Sequence, residues 1–501
     1  MAAPKLPRPS FATGLLDAAL GAPSSLGLTA PSTYLVDFAC YKPPDELKVV
    51  ATECEIAGKH WPMYSEAMKD FLWKVLLKSG LSPETTYLPK AVHPCHVRAP
   101  DMSIPAALAE ARMVIFGAVD ELRERIGLDP QTIDILITAN SIFCPTPSLA
   151  SMVVNRYKLR KDIQAYHLGG MGCANGTIGV NLVRDMLKAH PNSRLLFVCT
   201  EVVSYCAYPG NDKARMVANA IFRMGATAVL FSNRPSDGCV AKYVLDHAVR
   251  VHAAASDTAF NSMSWSPDPE GINGIFLSKC IVEEAGKTIE DVLRAITPRV
   301  MTWAQYGQAA LHEGRRRLLG APLPPYRPDY TRTRIDHFLV HAGGYAVLKG
   351  LQEGLGLPSA AMIPSFAALR EYGNTSSSTT WYALGYTEAC EGVKKGQRVF
   401  QLGVGGGMKG GANVWRALRD VDGSGHAAWA HLRGRRITEA DLPRGIDKDV
   451  CRHPRAVQLM AMATAFPMGP GGPGGVGAGP EGALLDNPLE APVEIDYADE
   501  H

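Results

Sequence analysis

The stretch "YHLGGMGCANGT", Tyr166 to Thr177, decides how this chain is read. A short strand-like run, Ile163 to Leu168, leads into it. A helix-patterned segment, Thr177 to Ala189, leads out, with Ile178, Val180, Leu182, Val183, Met186 and Leu187 apolar. The glycines at 169, 170 and 172 let the backbone turn tightly from strand to helix and expose the sulfur of Cys173. A thiol at a helix N-terminus feels the positive end of the helix dipole, which is expected to lower its pKa and raise its thiolate fraction. The plainer reading is a small buried thiol in a glycine turn. The other cysteines lack this setting, and Cys199, inside an apolar run, reads as core.

The surroundings extend the strand-turn-helix theme. "IDILITAN" (Ile133 to Asn140), "RLLFVCTEVVS" (Arg194 to Ser204) and "GATAVLFSN" (Gly225 to Asn233) read as buried strands, and the body begins near Tyr34, where Leu35, Val36 and Phe38 precede "CYKPP". The rhythm returns later. "IDHFLVHAGG" (Ile335 to Gly344) runs into a glycine turn and the helix Tyr345 to Gly354, and "QRVFQLGVGGG" (Gln397 to Gly407) ends in glycines. Strands alternating with helices predict an α/β protein. The expected organisation is a flexible arm at 1–30, a first α/β half at 31–245 carrying Cys173, a second at 246–435, and a low-complexity tail at 436–501. Within that tail Gly469 to Gly482 holds eight glycines and three prolines, too little apolar surface to offset the entropy of ordering.

Composition narrows the function. Of 501 residues, 46% are hydrophobic and 20% charged, and 51 basic against 49 acidic side chains leave a net charge of +2. That balance gives no global field for nucleic acid or an anionic membrane. Eleven cysteines, an odd number with no dense spacing and no cleavable signal peptide, favour reduced thiols in or facing the cytosol. No metal site is read from them. No run of 18 or more apolar residues is present, so no membrane span is expected.

Two further elements change the meaning of Cys173. His341 closes the strand "HFLVH" before "AGG", where catalytic groups of α/β proteins commonly sit, and His337 lies four residues earlier on the same face. Asn374 opens the polar turn "NTSSST"; its plainer reading is a helix cap. A cysteine, a histidine and an asparagine from separate turns suit acyl chemistry on a thioester, the last two stabilising a developing oxyanion. The glycine loop "GVGGGMKGG", with Gly405 and Gly406 at its centre, can bring backbone N–H groups to the same place, and it lacks the residue order of a P-loop.

These residues resemble the plant-type 3-ketoacyl-CoA synthases, condensing enzymes of very-long-chain fatty acid elongation related to type III polyketide synthases. The similar segments include "YLVDFACYKPP", "FCPTPSLASMVVNRYKLR", "YHLGGMGCANGTIGVNLVRDML", "ANAIFRMGATAVLFSN", "HAGGYAVL" and "EYGNTSSSTTWYALGY", spread over about Tyr34 to Leu418. The resemblance implies a thiolase-like fold of two similar halves in five alternating layers. It implies Cys173 as nucleophile, with His341 and Asn374 as the other catalytic residues and His252 and His337 as supporting active-site residues. An acyl-CoA would acylate Cys173, and malonyl-CoA would then decarboxylate and attack the thioester, with no metal or redox cofactor. It also implies a homodimer, reductase and dehydratase partners in an elongase complex, and a place on the cytosolic face of the endoplasmic reticulum membrane, a soluble cytoplasmic enzyme being the alternative.

The chain departs from the family pattern in lacking two leading membrane helices, in carrying Arg370 where a histidine is common, and in its glycine loop and tail. The alternative functions are a type III polyketide synthase-like enzyme and a non-catalytic acyl-CoA-binding protein. Lys158, Arg160, Lys161 and Lys409 lie near the motifs and could meet CoA phosphates, but each reads first as solvated surface.

Overall fold

The computed structural model describes residues 32–442, apart from 60, 319–321, 325, 423–424 and 434. The expected arm at 1–30 and the glycine-rich tail from 443 onward lie outside the described residues. Nine strands make the main sheet: β1 (Tyr34–Cys40), β2 (Ile135–Ala139), β3 (Gln164–Leu168), β4 (Arg194–Glu201), β5 (Gly225–Ser232), β6 (Tyr243–His252), β7 (His337–Val340), β8 (Arg398–Gly405) and β9 (Lys409–Ala417). Their spatial order is β7-β8-β9-β6-β1-β5-β4-β2-β3.

The pairing shows one plan used twice. In the first half β1 pairs antiparallel with β5, β5 antiparallel with β4, and β4 parallel with β2, which pairs in parallel with β3. In the second half β6 pairs antiparallel with β9, β9 antiparallel with β8, and β8 parallel with β7. The halves join edge to edge only where Tyr34 and Leu35 meet Val244 and Tyr243. Because β6 opens the second sheet at Tyr243, the division expected at 245 falls inside a strand.

Seven helices matter for the argument: α1 (Ala51–Lys59), α2 (Glu66–Lys78), α3 (Ile104–Ile126), α4 (Asn175–Ala189), α5 (Ile281–Val300), α6 (Ser359–Tyr372) and α7 (Thr379–Tyr386). The chemistry of α3's ends explains its length: the Ser103 hydroxyl accepts from Ala106 N–H, Pro105 occupies the first turn, and Gly127 closes the helix at φ +62°. Its apolar face covers β1, β4 and β5, while α5 covers β6, β8 and β9. Between the two sheets lie α4, touching β2, β4, β6, β8 and β9, and α7, touching β1, β7 and β8. The stack is therefore helix, sheet, helix, sheet, helix, as the resemblance implies.

Burial explains why the central helices lost the usual two-faced pattern. Every residue of α7 is buried, so it is apolar or hydroxyl-bearing all round. Charges that enter this layer are paired: the Lys242 ammonium sits 2.7 Å from both Asp37 and Glu388, and Glu388 also meets His426 at 2.7 Å. Arg125 is a further partner of Asp37. Despite complete burial, Lys242 and His426 hold the Glu388 carboxyl down to about 2.

The ordered body runs a little further than expected. Trp429 is fully buried and its ring N–H donates to Tyr382 O at 3.0 Å, while Ile437 N–H donates to the Tyr386 hydroxyl at 2.8 Å. Residues 436–442 thus belong to the packed second half and not to the tail.

Candidate active site

Strand β3 ends at Leu168, and the chain turns through Gly170 and Gly172, both at φ +67°, to deliver Cys173 two residues before α4. Gly172 is doubly constrained: a Cβ there would lie 2.4 Å from Gly406 N. Across the seam, a Cβ on Gly405 would lie 2.6 Å from Cys173 N and 2.5 Å from Ala174 N. The β8–β9 hairpin of one half is therefore pressed onto the nucleophile turn of the other. Lys409 ties the two together, its ammonium donating to Gly170 O at 3.3 Å and Gly406 O at 3.2 Å. Gly405 and Gly406 thus lie against Cys173, with Gly405 at the contact. Lys409 gives two of its three donors to these carbonyls.

Cys173, His341 and Asn374 are linked through residues that the sequence pattern did not single out. The Ser376 hydroxyl lies 3.5 Å from Cys173 Sγ and 2.9 Å from Glu201 Oε2. Ser376 N–H donates to Asn374 Oδ1 at 2.9 Å, which turns the Asn374 Nδ2 outward to donate to Gly343 O at 3.4 Å. Thr379 Oγ1 donates to Ser376 O at 3.1 Å and meets His341 Nδ1 at 2.5 Å. With the Thr379 hydrogen so used, Nδ1 is assigned as the protonated nitrogen and Nε2 keeps the lone pair. The imidazole lies beside Gly343, where an added Cβ would be 3.5 Å from Nε2. The ring closes through Ser376, which adopts φ +55°, a left-handed conformation uncommon for a side-chain-bearing residue.

Electrostatics differ from the sequence expectation. Burial pushes the Cys173 thiol up to about 12, with Glu201 adding repulsion and the Ser376 hydroxyl opposing. Desolvation outweighs the helix terminus that was expected to lower it. Burial likewise pushes the His341 imidazole down to about 4. The resting pair is neutral thiol and neutral imidazole. Burial also raises Glu201, against the Ser141 and Ile142 N–H groups that bond it.

The supporting histidines fall elsewhere. His337 is at the start of β7, a strand length of about 13 Å from His341, and bonds Gln397 Oε1 at 3.2 Å with Glu391 at 3.7 Å. It lines a separate surface pocket with Glu391, Gln397 and Arg436. The two histidines share a face, and the strand carries its two ends to different places, so the structure does not bring His337 to Cys173. His252 is exposed at the end of β6, paired in register with Lys409; it is at the rim of the glycine hairpin. Arg370 turns away as well, its Nε donating to Asp441 O at 3.1 Å. Glu201 left one signal in the sequence, an acid at the end of the apolar run "LLFVCTE". Ser376 left none beyond the serine run.

Cys173 packs in an apolar cluster with Cys206, Ala218, Phe222 and Ile275. Those last four also line a cavity of about 180 Å³ that runs outward beneath α1 and α2, past Leu76, Trp61 and Trp73. One layer of side chains separates the thiol from this space.

Comparison with known proteins agrees with the fold and extends it. A family model described as FAE1/Type III polyketide synthase-like protein matches residues 29–311, and one described as 3-oxoacyl-[acyl-carrier-protein] synthase III C terminal matches residues 327–417. The solved C-terminal type III polyketide synthase domain of Steely1, a type I/III hybrid from Dictyostelium, superposes with TM-score 0.57 at 18% identity. The match covers 77% of this chain and 99% of that domain. Fold and family together define a thiolase-like condensing acyltransferase. Among Arabidopsis thaliana proteins, 3-ketoacyl-CoA synthase 9 is 39% identical over 411 residues, covering 82% of this chain and 79% of the relative. For 3-ketoacyl-CoA synthase 17 the values are 40% over 412 residues, 82% and 84%. The chain belongs to the 3-ketoacyl-CoA synthase family, the condensing enzymes of very-long-chain fatty acid elongation. No helix among the described residues is long and apolar enough to cross a membrane.

Proposed function

We propose that this chain joins malonyl-CoA to a long-chain acyl-CoA through an acyl group carried on Cys173, with His341 and Asn374 as its catalytic partners. The observation that carries the reading is the thiol at the inner end of an apolar cluster that continues into a cavity, a place for a hydrocarbon chain attached to sulfur. In acylation the Cys173 sulfur attacks the acyl carbon, its proton passes to His341 Nε2, and CoA leaves by taking that proton. Malonyl-CoA then loses CO₂, and the electron pair of the broken bond is held on the thioester oxygen by a hydrogen bond from Asn374 Nδ2 and by one from His341 Nε2, to which the ring's single proton moves from Nδ1 as the Thr379 hydroxyl turns to donate to Nδ1. The carbanion attacks the acyl carbon and Cys173 leaves as thiolate, to be reprotonated. The product is a 3-ketoacyl-CoA two carbons longer, and the condensation draws on no metal or redox cofactor.

The neutral resting pair fits this cycle. A thiol that ionises only as it reacts does not waste itself on stray electrophiles, and a neutral imidazole is free to accept its proton. Purified enzyme given an acyl-CoA and labelled malonyl-CoA tests the reading. A linear 3-ketoacyl-CoA supports it; a cyclised product points to polyketide chemistry instead, and no CO₂ release points to a binding protein.

We further propose a homodimer. Strand β3 lies at the sheet edge with Tyr166 43% exposed, and a second copy would pair that edge and cover the adjoining 140–155 segment. Light scattering on the purified chain tests it. The family resemblance supports a location on the cytosolic face of the endoplasmic reticulum beside the reductase and dehydratase of an elongase; membrane fractionation and co-purification are the tests.

A further inference from the structure

A second cluster of reactive side chains stands apart from the condensing site. Its sequence is "HPCH", residues 93–96, in a turn after the short helical segment Lys90–Val92. Helix α1 lays Cys54 over this turn. The sulfurs of Cys54 and Cys95 lie 3.9 Å apart, and one ligand atom each from Cys54, His93 and Cys95 lies within 4.8 Å of the others.

The spacing is informative. Two thiolates on one tetrahedral zinc, with bonds of about 2.3 Å, stand about 3.8 Å apart. A disulfide needs about 2.05 Å and an oxidant to take two electrons. The observed separation matches the first arrangement.

The imidazole is set up in the same way. His93 is buried, and its Nε2 lies 3.0 Å from the Lys48 carbonyl oxygen while its Nδ1 accepts the Cys95 N–H at 3.2 Å. These two bonds assign the proton to Nε2 and the lone pair to Nδ1, on the side of Cys95. A metal-bound histidine characteristically gives its other ring N–H to a backbone carbonyl, which fixes its tautomer and raises its basicity. Cys54 is buried and Cys95 exposed, so the cluster spans from interior to surface and an ion can enter from solvent.

We propose that Cys54, His93 and Cys95 bind one zinc ion, with water as fourth ligand, and that the ion pins α1 to the 93–96 turn. Binding converts two thiols to thiolates and releases two protons to solvent; no electron moves. Nδ1 exchanges its contact with the Cys95 N–H for the metal. Cys54, Val92 and Pro94 all line the 180 Å³ cavity, so the ion fastens together two segments of its outer wall. The inference stands on the three ligands and is independent of the reaction at Cys173.

The test is metal analysis on the untagged full-length chain, purified without chelator. The expected result is about one zinc per chain, and binding of added Co²⁺ to the stripped protein with the thiolate-to-metal absorption and visible bands of a tetrahedral sulfur-ligated ion. In Cys54→Ser/Cys95→Ser both signals should vanish while the far-UV circular dichroism stays that of the wild type. Should that variant fail to fold, His93→Gln and the wild-type cobalt spectrum carry the test. A stripped protein that takes up no zinc or cobalt, a cobalt spectrum without sulfur bands, or a Cys54–Cys95 disulfide found by mass spectrometry overturns the proposal.

Discussion

Replacing Gly405 by alanine is the sharpest test of the close approach between the two halves. The added methyl would meet Cys173 N at 2.6 Å and Ala174 N at 2.5 Å, against about 3.4 Å for ordinary contact. Both neighbours are backbone, so nothing can swing aside, and the hairpin must retreat from the nucleophile turn by roughly 0.9 Å. Overpacking of this kind costs about 1–3 kcal/mol of stability. A displacement near 1 Å at the reacting groups costs about a hundredfold in rate. Gly406→Ala is the control, since the three atoms nearest its methyl all belong to the flexible Met263 side chain, the sulfur at 3.2 Å. We expect Gly405→Ala to lower turnover about a hundredfold and Gly406→Ala to stay near wild type, measured as malonyl-dependent product formation and urea unfolding on the same preparations. A Gly405→Ala enzyme with wild-type turnover, or two equally damaged variants, would refute the packing argument.

Further outcomes are expected at other positions. Cys173→Ala should abolish condensation and leave no acyl adduct by mass spectrometry, because the sulfur that carries the chain is gone. His341→Ala should lower turnover by about a hundredfold or more; a near-normal rate would remove it from the mechanism. Since burial depresses the His341 pKa to about 4, the unfolded chain binds its proton first as pH falls below 6.5. Stability from this group is thus full above 6.5 and lost toward 4, and His341→Gln should flatten that part of the wild-type profile; unchanged profiles in urea titrations would contradict it. Lys242→Met leaves Glu388 buried without its ammonium and should destabilise the fold by about 3–5 kcal/mol in denaturant titration; an effect below about 1 kcal/mol would mean the network rearranges. Ala218→Phe narrows the passage between thiol and cavity, so products should shift to shorter chains by gas chromatography, and an unaltered distribution would place the acyl chain elsewhere.

Much of the fold was legible because buried strands announce themselves. The runs containing β2, β4, β5 and β8 are apolar and bounded by turn residues, and the structure keeps each within a few residues. Strands β6 and β9 escaped notice. "YVLDHAVRVH" mixes charge with apolar residues because half of it faces outward, and "KGGANVWRA" is glycine-rich because it packs closely on other elements, Gly411 against Ile178. Within the site, Cys173, His341 and Asn374 could be read from their turns. The mediating pair could not. Ser376 matters through a left-handed backbone that aims its hydroxyl, and Glu201 through a partner 175 residues away in sequence. For His337 the spacing gave the face, but face alone does not say which end of a strand lies near Cys173. The helix-terminus argument for Cys173 was sound in sign and too small in size, since desolvation of a fully enclosed sulfur is the larger effect.

The narrow edge-to-edge junction between β1 and β6 has a further consequence. With two residue pairs bridging the sheets, cohesion between the halves depends on the helices sandwiched there, and the thiol travels with one half while the imidazole and carboxamide travel with the other. A small slip along that plane would part the thiol from the imidazole and carboxamide while each half kept its own sheet. Turnover is thereby a more sensitive gauge of mild denaturant than circular dichroism, and an additive that stiffens the plane should protect activity without moving the midpoint of unfolding.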